Sequence, residues 1–134
     1  MPRPANIIEM LAALNLGAVT LGIGVGGLTA SLTTLLFSGA LTLVGFENGA
    51  DVGLVIGIVS GLAVAGWVAG SRAVHSERFH GMVTGLLFAF MVVIIARLGG
   101  SPASTPVVLW LAVLCVAIAG VSGWLAGVRK SRHE

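Results

Sequence analysis

The sequence predicts an all-α fold: a four-helix transmembrane bundle formed by two tandem helical hairpins. Of the 134 residues, 57% are hydrophobic and only 9% are charged, whereas soluble domains carry about 25% charged residues. Polar breaks divide the chain into four apolar stretches. Each is long enough to supply the roughly 20 residues that cross a bilayer as a helix. The spans use most of the chain, so we expect one integral membrane domain over residues 1–134.

The four spans are predicted at residues 17–44, 52–70, 81–98 and 106–128. The first is longer than one crossing requires, which predicts either a tilted helix or a start that continues an interfacial segment. Before it, residues 1–15 place apolar side chains at helical spacing, which is typical of a short amphipathic helix on the membrane surface. The fourth begins at Pro106, which suits a first helical turn.

The distribution of Lys and Arg predicts the orientation. With four spans, one side of the membrane receives Arg3, Arg72, Arg78, Arg129, Lys130 and Arg132, and the other receives only Arg97. Cytoplasmic flanks of transmembrane helices are enriched in these residues. Both termini are therefore predicted to be cytoplasmic.

A repeated phrase links the middle of the chain to its last residues. GWVAGSRAVHSE at 66–77 returns as GWLAGVRKSRHE at 123–134. Each copy ends a span that runs toward the basic side, so the simplest account is a duplicated hairpin with a parallel repeat. The alternative is that both span ends carry the same membrane-interface residues without duplication, which accounts only for the matching Trp and Arg residues. On either account four residues are predicted interface anchors: Trp67, Arg72, Trp124 and Arg129.

Glycines at helical spacing predict close helix packing. Small residues four positions apart let helix backbones approach within a bilayer, where lipid tails remove the hydrophobic driving force between helices. We expect such contacts at Gly53, Gly57, Gly61, Gly66, Gly70, Gly123 and Gly127. The spacing does not indicate whether these faces pack within one chain or between subunits.

Hydroxyl side chains form one face of span one, at Ser31, Thr34, Ser38 and Thr42. Their spacing of three or four residues places them on the same side of a helix. One interpretation is that each bonds a carbonyl one turn earlier or a neighbouring helix. The alternative is a polar lining for a pathway through an oligomer.

Candidate chemistry is sparse. The middle of each span lacks the ionisable residues that mark ion and proton routes. The second loop places His75, Glu77 and His80 close together, which could hold a zinc ion. Their spacing matches no common helical metal motif, so a solvated turn facing anionic lipid is favoured. Cys115 has no base near it in sequence and is interpreted as packing. We expect no catalytic residue, metal or cofactor.

Three segments carry a family resemblance: GIVSGLAVAGWVAGSRA, then FHGMVTGLLFAF, then the final AIAGVSGWLAGVRK. These resemble the YrzE-like small bacterial membrane proteins over roughly residues 16–128. The resemblance implies a four-span protein of the bacterial inner membrane. It implies no catalytic residues, because that family has no established biochemical activity.

The leading functional expectation is a non-enzymatic membrane protein with a structural or accessory role. Its expected partners are the lipid bilayer and either further copies of itself or a larger membrane protein, with no nucleic acid. The main alternative is a small homo-oligomeric channel or transporter lined by the hydroxyl face of span one. A membrane enzyme that uses the loop containing His75, Glu77 and His80 is the third hypothesis.

Overall fold

The described residues form a bundle of four long α-helices. The computed structural model describes residues 14–73, 76–100 and 105–131. The helices are α1 (Leu16–Leu43), α2 (Gly49–Arg72), α3 (Glu77–Leu98) and α4 (Thr105–Ser131). All four are long and apolar enough to cross a membrane, and the described residues contain no strand. The predicted all-α transmembrane fold is confirmed.

The helix bounds differ from the predicted spans by a few residues at most ends. The largest difference at a single end is the start of α3, which begins at Glu77 rather than at residue 81. The 28 residues of α1 reach about 42 Å at about 1.5 Å per residue. That exceeds the roughly 30 Å hydrocarbon core, so α1 must tilt or extend into the headgroup region. The interfacial helix predicted for residues 1–15 falls mostly on residues outside the described part.

Local signals set the ends of α1. At its start the side chain of Asn15 accepts a hydrogen bond from the backbone N–H of Ala18, at 3.2 Å, and so satisfies one of the first-turn donors. After its end Gly45 adopts a φ of 77°, a left-handed conformation that favours glycine. The chain then turns within a few residues and enters α2 as the second arm of a hairpin.

Two antiparallel hairpins pack side by side. The first pairs α1 with α2 and the second pairs α3 with α4, while α2 contacts both helices of the second hairpin. Where they meet, α2 and α4 run in the same direction, since Gly66 lies against Ala119 and Gly70 against Gly123. The shared core is formed by Leu62, Ala65, Phe88, Ala89, Cys115 and Ala119.

The two ends of the bundle differ in charge. One end, called the basic end below, carries Arg72, Arg78 and Arg129, at the ends of α2 and α4 and the start of α3. The opposite end carries Glu47, Asp51 and Arg97. The antiparallel order of the helices brings the start of α1 to the basic end. The contacts of His80 with Asn15 and of Arg78 with Trp124, described below, lie at this end.

Candidate functional site

Three predicted packing glycines of α2, Gly53, Gly57 and Gly61, pack against α1. A methyl group on Gly57 would lie on the Thr34 hydroxyl and 2.7 Å from the Ala30 carbonyl oxygen. A methyl group on Gly61 would lie 2.6 Å from the Gly26 carbonyl oxygen. Gly53 is enclosed in the same way by Ser38. This part of the predicted packing set therefore works inside one chain, between the arms of the first hairpin.

The last two glycines of α2 face the second hairpin. A methyl group on Gly70 would lie 2.6 Å from the carbonyl oxygen and 2.7 Å from the Cα of Gly123. Gly66 lies against the Ala119 backbone and the Ser122 hydroxyl. Gly66 and Gly123 occupy equivalent positions in the two copies of the repeated phrase. Because Gly70 of the first copy lies against Gly123 of the second, the two copies contact each other. The duplication itself stays a prediction.

Glycines also lie at the contact between α3 and α4 in the second hairpin. A methyl group on Gly123 would lie 2.9 Å from the Glu77 carbonyl oxygen and 3.1 Å from the Cα of Gly81. Gly127 faces the side chain of Glu77, and Gly85 faces the Cys115 carbonyl oxygen. Each predicted packing glycine thus has a neighbouring backbone or side chain within its own chain.

The hydroxyl face of α1 divides into different environments. The Ser31 and Thr42 hydroxyls donate to the carbonyls of Gly27 and Ser38, one turn earlier, at 3.0 and 2.7 Å. The Ser38 hydroxyl donates across the hairpin to the Ala50 carbonyl at 3.1 Å. Thr34 packs on Gly57. Within one chain these residues therefore serve local bonding and helix contact.

Replacing Ser38 by Ala is expected to lower the free energy of unfolding by about 0.6 kcal/mol, a typical value for one interhelical hydrogen bond in a membrane protein. The reason is loss of the bond from Ser38 to the Ala50 carbonyl. Titration with SDS in mixed micelles, followed by tryptophan fluorescence, measures this difference. Ser31→Ala is the matched control, because Ser31 bonds only within its own helix among the described contacts. Equal effects of the two changes would contradict a role for the interhelical bond.

An apolar groove separates α1 from α3 toward the end opposite the basic end. It has a volume of about 590 Å³. Its α1 wall includes Gly27, Ser31 and Thr34, and across from them lie Phe88 and Ile95 of α3. The helices are therefore close together near the basic end and separated beyond Phe88.

The predicted anchor residues lie at the basic end. Trp67, Trp124, Arg72 and Arg129 are all exposed. Arg78 adds a contact that the sequence did not predict: its guanidinium carbon lies 4.9 Å from the centre of the Trp124 ring, a cation–π geometry. This arrangement is compatible with anchoring in the headgroup region.

The interpretation of His80 as part of a solvated turn is wrong. The residue is only 1% exposed, because α3 begins earlier than expected and places His80 on the buried face of the helix. The Nε2 atom accepts the backbone N–H of Asn15 at 3.0 Å, and Nδ1 lies 3.2 Å from the Ser76 carbonyl oxygen. The ring thus joins the start of α1 to the start of α3.

The same contacts bear on the candidate metal site. Both ring nitrogens of His80 have backbone partners. Within the described ranges no group of three His, Cys, Asp or Glu side chains could hold a metal ion. His75 lies outside these ranges. In the described residues, the His80 side chain therefore connects the start of α1 to the start of α3.

The sequence carried a partial signal for this connector. Thr84 lies four residues after His80, on the same helical face, and its hydroxyl donates to the His80 carbonyl at 2.7 Å. With Gly81 and Gly85 this face consists of small or polar residues that are all buried. A polar residue beside closely spaced glycines can therefore indicate burial. Its partner, the backbone of Asn15, could not be identified from sequence.

No protein-family model, curated protein or solved structure matches this chain. Membership in the YrzE-like family stays a prediction.

Proposed function

We propose that this protein is a non-enzymatic integral membrane protein with a structural or accessory role, which associates through its helices with further copies of itself or with a larger membrane protein. The observation that carries this proposal is a second row of small residues on α1 that no other described helix covers. The first row, which includes Gly26, is occupied by α2.

The uncovered row has the spacing of a helix interface. It is formed by Gly17, Thr20, Gly24, Gly27 and Ser31, at intervals of three and four residues. A methyl group on Gly24 or Gly27 would meet no group of the described residues within 4 Å. Gly27 and Ser31 also form part of the wall of the apolar groove. Small residues at a lipid-facing position favour close approach of another helix, which supports association as the function of this face.

The predicted membrane orientation belongs to the same proposal. The basic end is placed on the cytoplasmic side of a bacterial inner membrane, with both termini cytoplasmic. Arg72, Arg78 and Arg129 support this orientation because cytoplasmic flanks are rich in Lys and Arg. Their positions near Trp67 and Trp124 suit attraction to anionic headgroups.

A second candidate function is a small homo-oligomeric channel. It is favoured by Ser31 and Thr34, which line the groove. It is weakened by the local and interhelical bonds that occupy the Ser31, Ser38 and Thr42 hydroxyls. A chain that conducts solute in liposomes and loses conduction as the Thr34→Val variant would support the channel instead.

The double substitution Gly24→Leu with Gly27→Leu tests the proposal. Leucine side chains would fill the space that another helix needs, so we expect the dissociation constant of the complex to rise about tenfold or more. Native mass spectrometry after extraction in mild detergent identifies the wild-type complex, and titration across detergent concentration measures its dissociation.

The matched control is Gly39→Leu, because Gly39 also lies on α1 and a methyl group there would meet no atom of the described residues within 4 Å. The control is expected to keep the wild-type complex. Circular dichroism checks that all three chains remain helical. A wild-type chain that is monomeric and partner-free in native membranes would overturn the proposal, as would a double variant that associates like the control.

A further inference from the structure

The hydrogen bonds of the buried His80 ring fit one neutral tautomer. The backbone N–H of Asn15 donates to Nε2, so Nε2 carries no proton. The opposite nitrogen, Nδ1, faces the Ser76 carbonyl oxygen at 3.2 Å and must donate to it. The ring is thus neutral, with its single N–H proton on Nδ1, and these bonds fix the tautomer.

Three segments meet at this ring. Asn15 caps α1 with its side chain while its own N–H binds His80. Ser76, which precedes α3, has a φ of 58°, an uncommon conformation for a residue other than glycine. The bond from Nδ1 helps to hold the Ser76 carbonyl in that conformation. The neutral imidazole therefore positions both the beginning of α1 and the entry to α3.

A proton added at Nε2 would make the contact between this atom and the Asn15 N–H repulsive. Two donors, the new N–H and the Asn15 N–H, would then face each other. The positive ring would also lie at the first turns of α1 and α3, where the helix dipoles are positive. Both effects oppose the closed contact.

The charged groups that the structure describes around this end offer little compensation. Arg72 of α2 lines a cavity together with Asn15, Arg78 of α3 lies over Trp124, and Arg129 belongs to α4. The start of α1 contributes no charged residue between Leu14 and Leu21. The described carboxylate at this end, Glu77, packs along α4 at Gly127. The His80 ring points instead toward α1.

We propose that His80 is a pH-sensitive latch: the neutral ring joins the start of α1 to α3, and protonation of the ring releases the start of α1. The latch is closed at higher pH and opens as the pH falls, since the stabilising contact requires an unprotonated Nε2. This latch goes beyond the helix association proposed above and does not depend on it.

Hydrogen–deuterium exchange of the intact protein in liposomes tests the latch. The readout is the exchange of the first backbone amides of α1, residues 15–19, at about pH 7.5 and about pH 5, a range in which imidazoles change charge. The reference is His80→Gln, whose side-chain oxygen can accept the Asn15 N–H and does not titrate. Comparing the two proteins at the same pH removes the intrinsic pH dependence of exchange.

At about pH 7.5 we expect equal protection in the two proteins, and at about pH 5 about tenfold faster exchange in the wild type. The variant His80→Phe, which has no acceptor, is expected to exchange fast at both pH values. A double variant that keeps His80 but carries His75→Gln and His133→Gln should show the full pH response. Equal protection of wild type and His80→Gln at about pH 5, or loss of the response in the double variant, would overturn the proposal.

Discussion

Replacing Gly57 by Leu is expected to separate the first hairpin and to lower the free energy of unfolding by about 3 kcal/mol, the upper part of the range for overpacking a closely packed site. The first carbon of the new side chain would lie 2.7 Å from the Ala30 carbonyl oxygen. Thr34 can rotate away, but that carbonyl is fixed by the backbone of α1. The two helices must therefore move apart.

Unfolding by SDS in mixed micelles, followed through the three tryptophans, measures the loss. The matched control is again Gly39→Leu, which makes the same chemical change on a glycine with no neighbour within 4 Å. We expect the control to unfold with the wild type. Unfolding of both variants at the same SDS fraction would mean that the approach of α1 to α2 contributes no measurable stability.

Replacing Gly70 by Leu is expected to move the two hairpins apart while each stays intact. The added carbon would meet the Gly123 carbonyl oxygen at 2.6 Å and its Cα at 2.7 Å. Both are backbone atoms of α4 and cannot rotate aside. Because the distance between helix axes depends on the side chains at the contact, we expect α2 and α4 to separate by about 2 Å.

Spin labels on Val59 and Val121, which are both exposed, report the distance between α2 and α4 by electron paramagnetic resonance in a Cys115→Ser background. A second pair on Leu32 and Val55, also exposed, reports the first hairpin and should not change. A shift of both pairs would indicate general unfolding. If neither pair shifts, Gly70 does not set the hairpin distance.

The helices could be predicted from sequence because they follow from composition. An apolar run of sufficient length has few alternatives in a bilayer, since its backbone must satisfy its own hydrogen bonds. The packing glycines could also be identified from sequence, because small residues four positions apart are typical of close helix contacts in a bilayer. Which helix each glycine meets could not be predicted: Gly61 and Gly66 share α2, yet one faces α1 and the other α4.

The position of His80 shows what pattern reasoning lacks. An imidazole beside a polar loop is more often solvated than buried, and the loop offered no sign of a partner. The partner is the N–H of Asn15, a backbone group 65 residues away in sequence. Backbone donors are present at every residue except proline, so only the three-dimensional arrangement of α1 and α3 singles this one out.

The glycine contacts between helices also determine what kind of force holds them together. At Gly22, Gly61, Gly70 and Gly85 the position of the absent methyl group faces a carbonyl oxygen of another helix at 2.5–2.7 Å. In glycine that position is occupied by a Cα hydrogen, which therefore points at the oxygen. Such Cα–H···O contacts contribute about 0.5–1 kcal/mol each. The cohesion of the bundle thus comes in large part from main chain against main chain, and the side chains that face lipid can vary in sequence without weakening it.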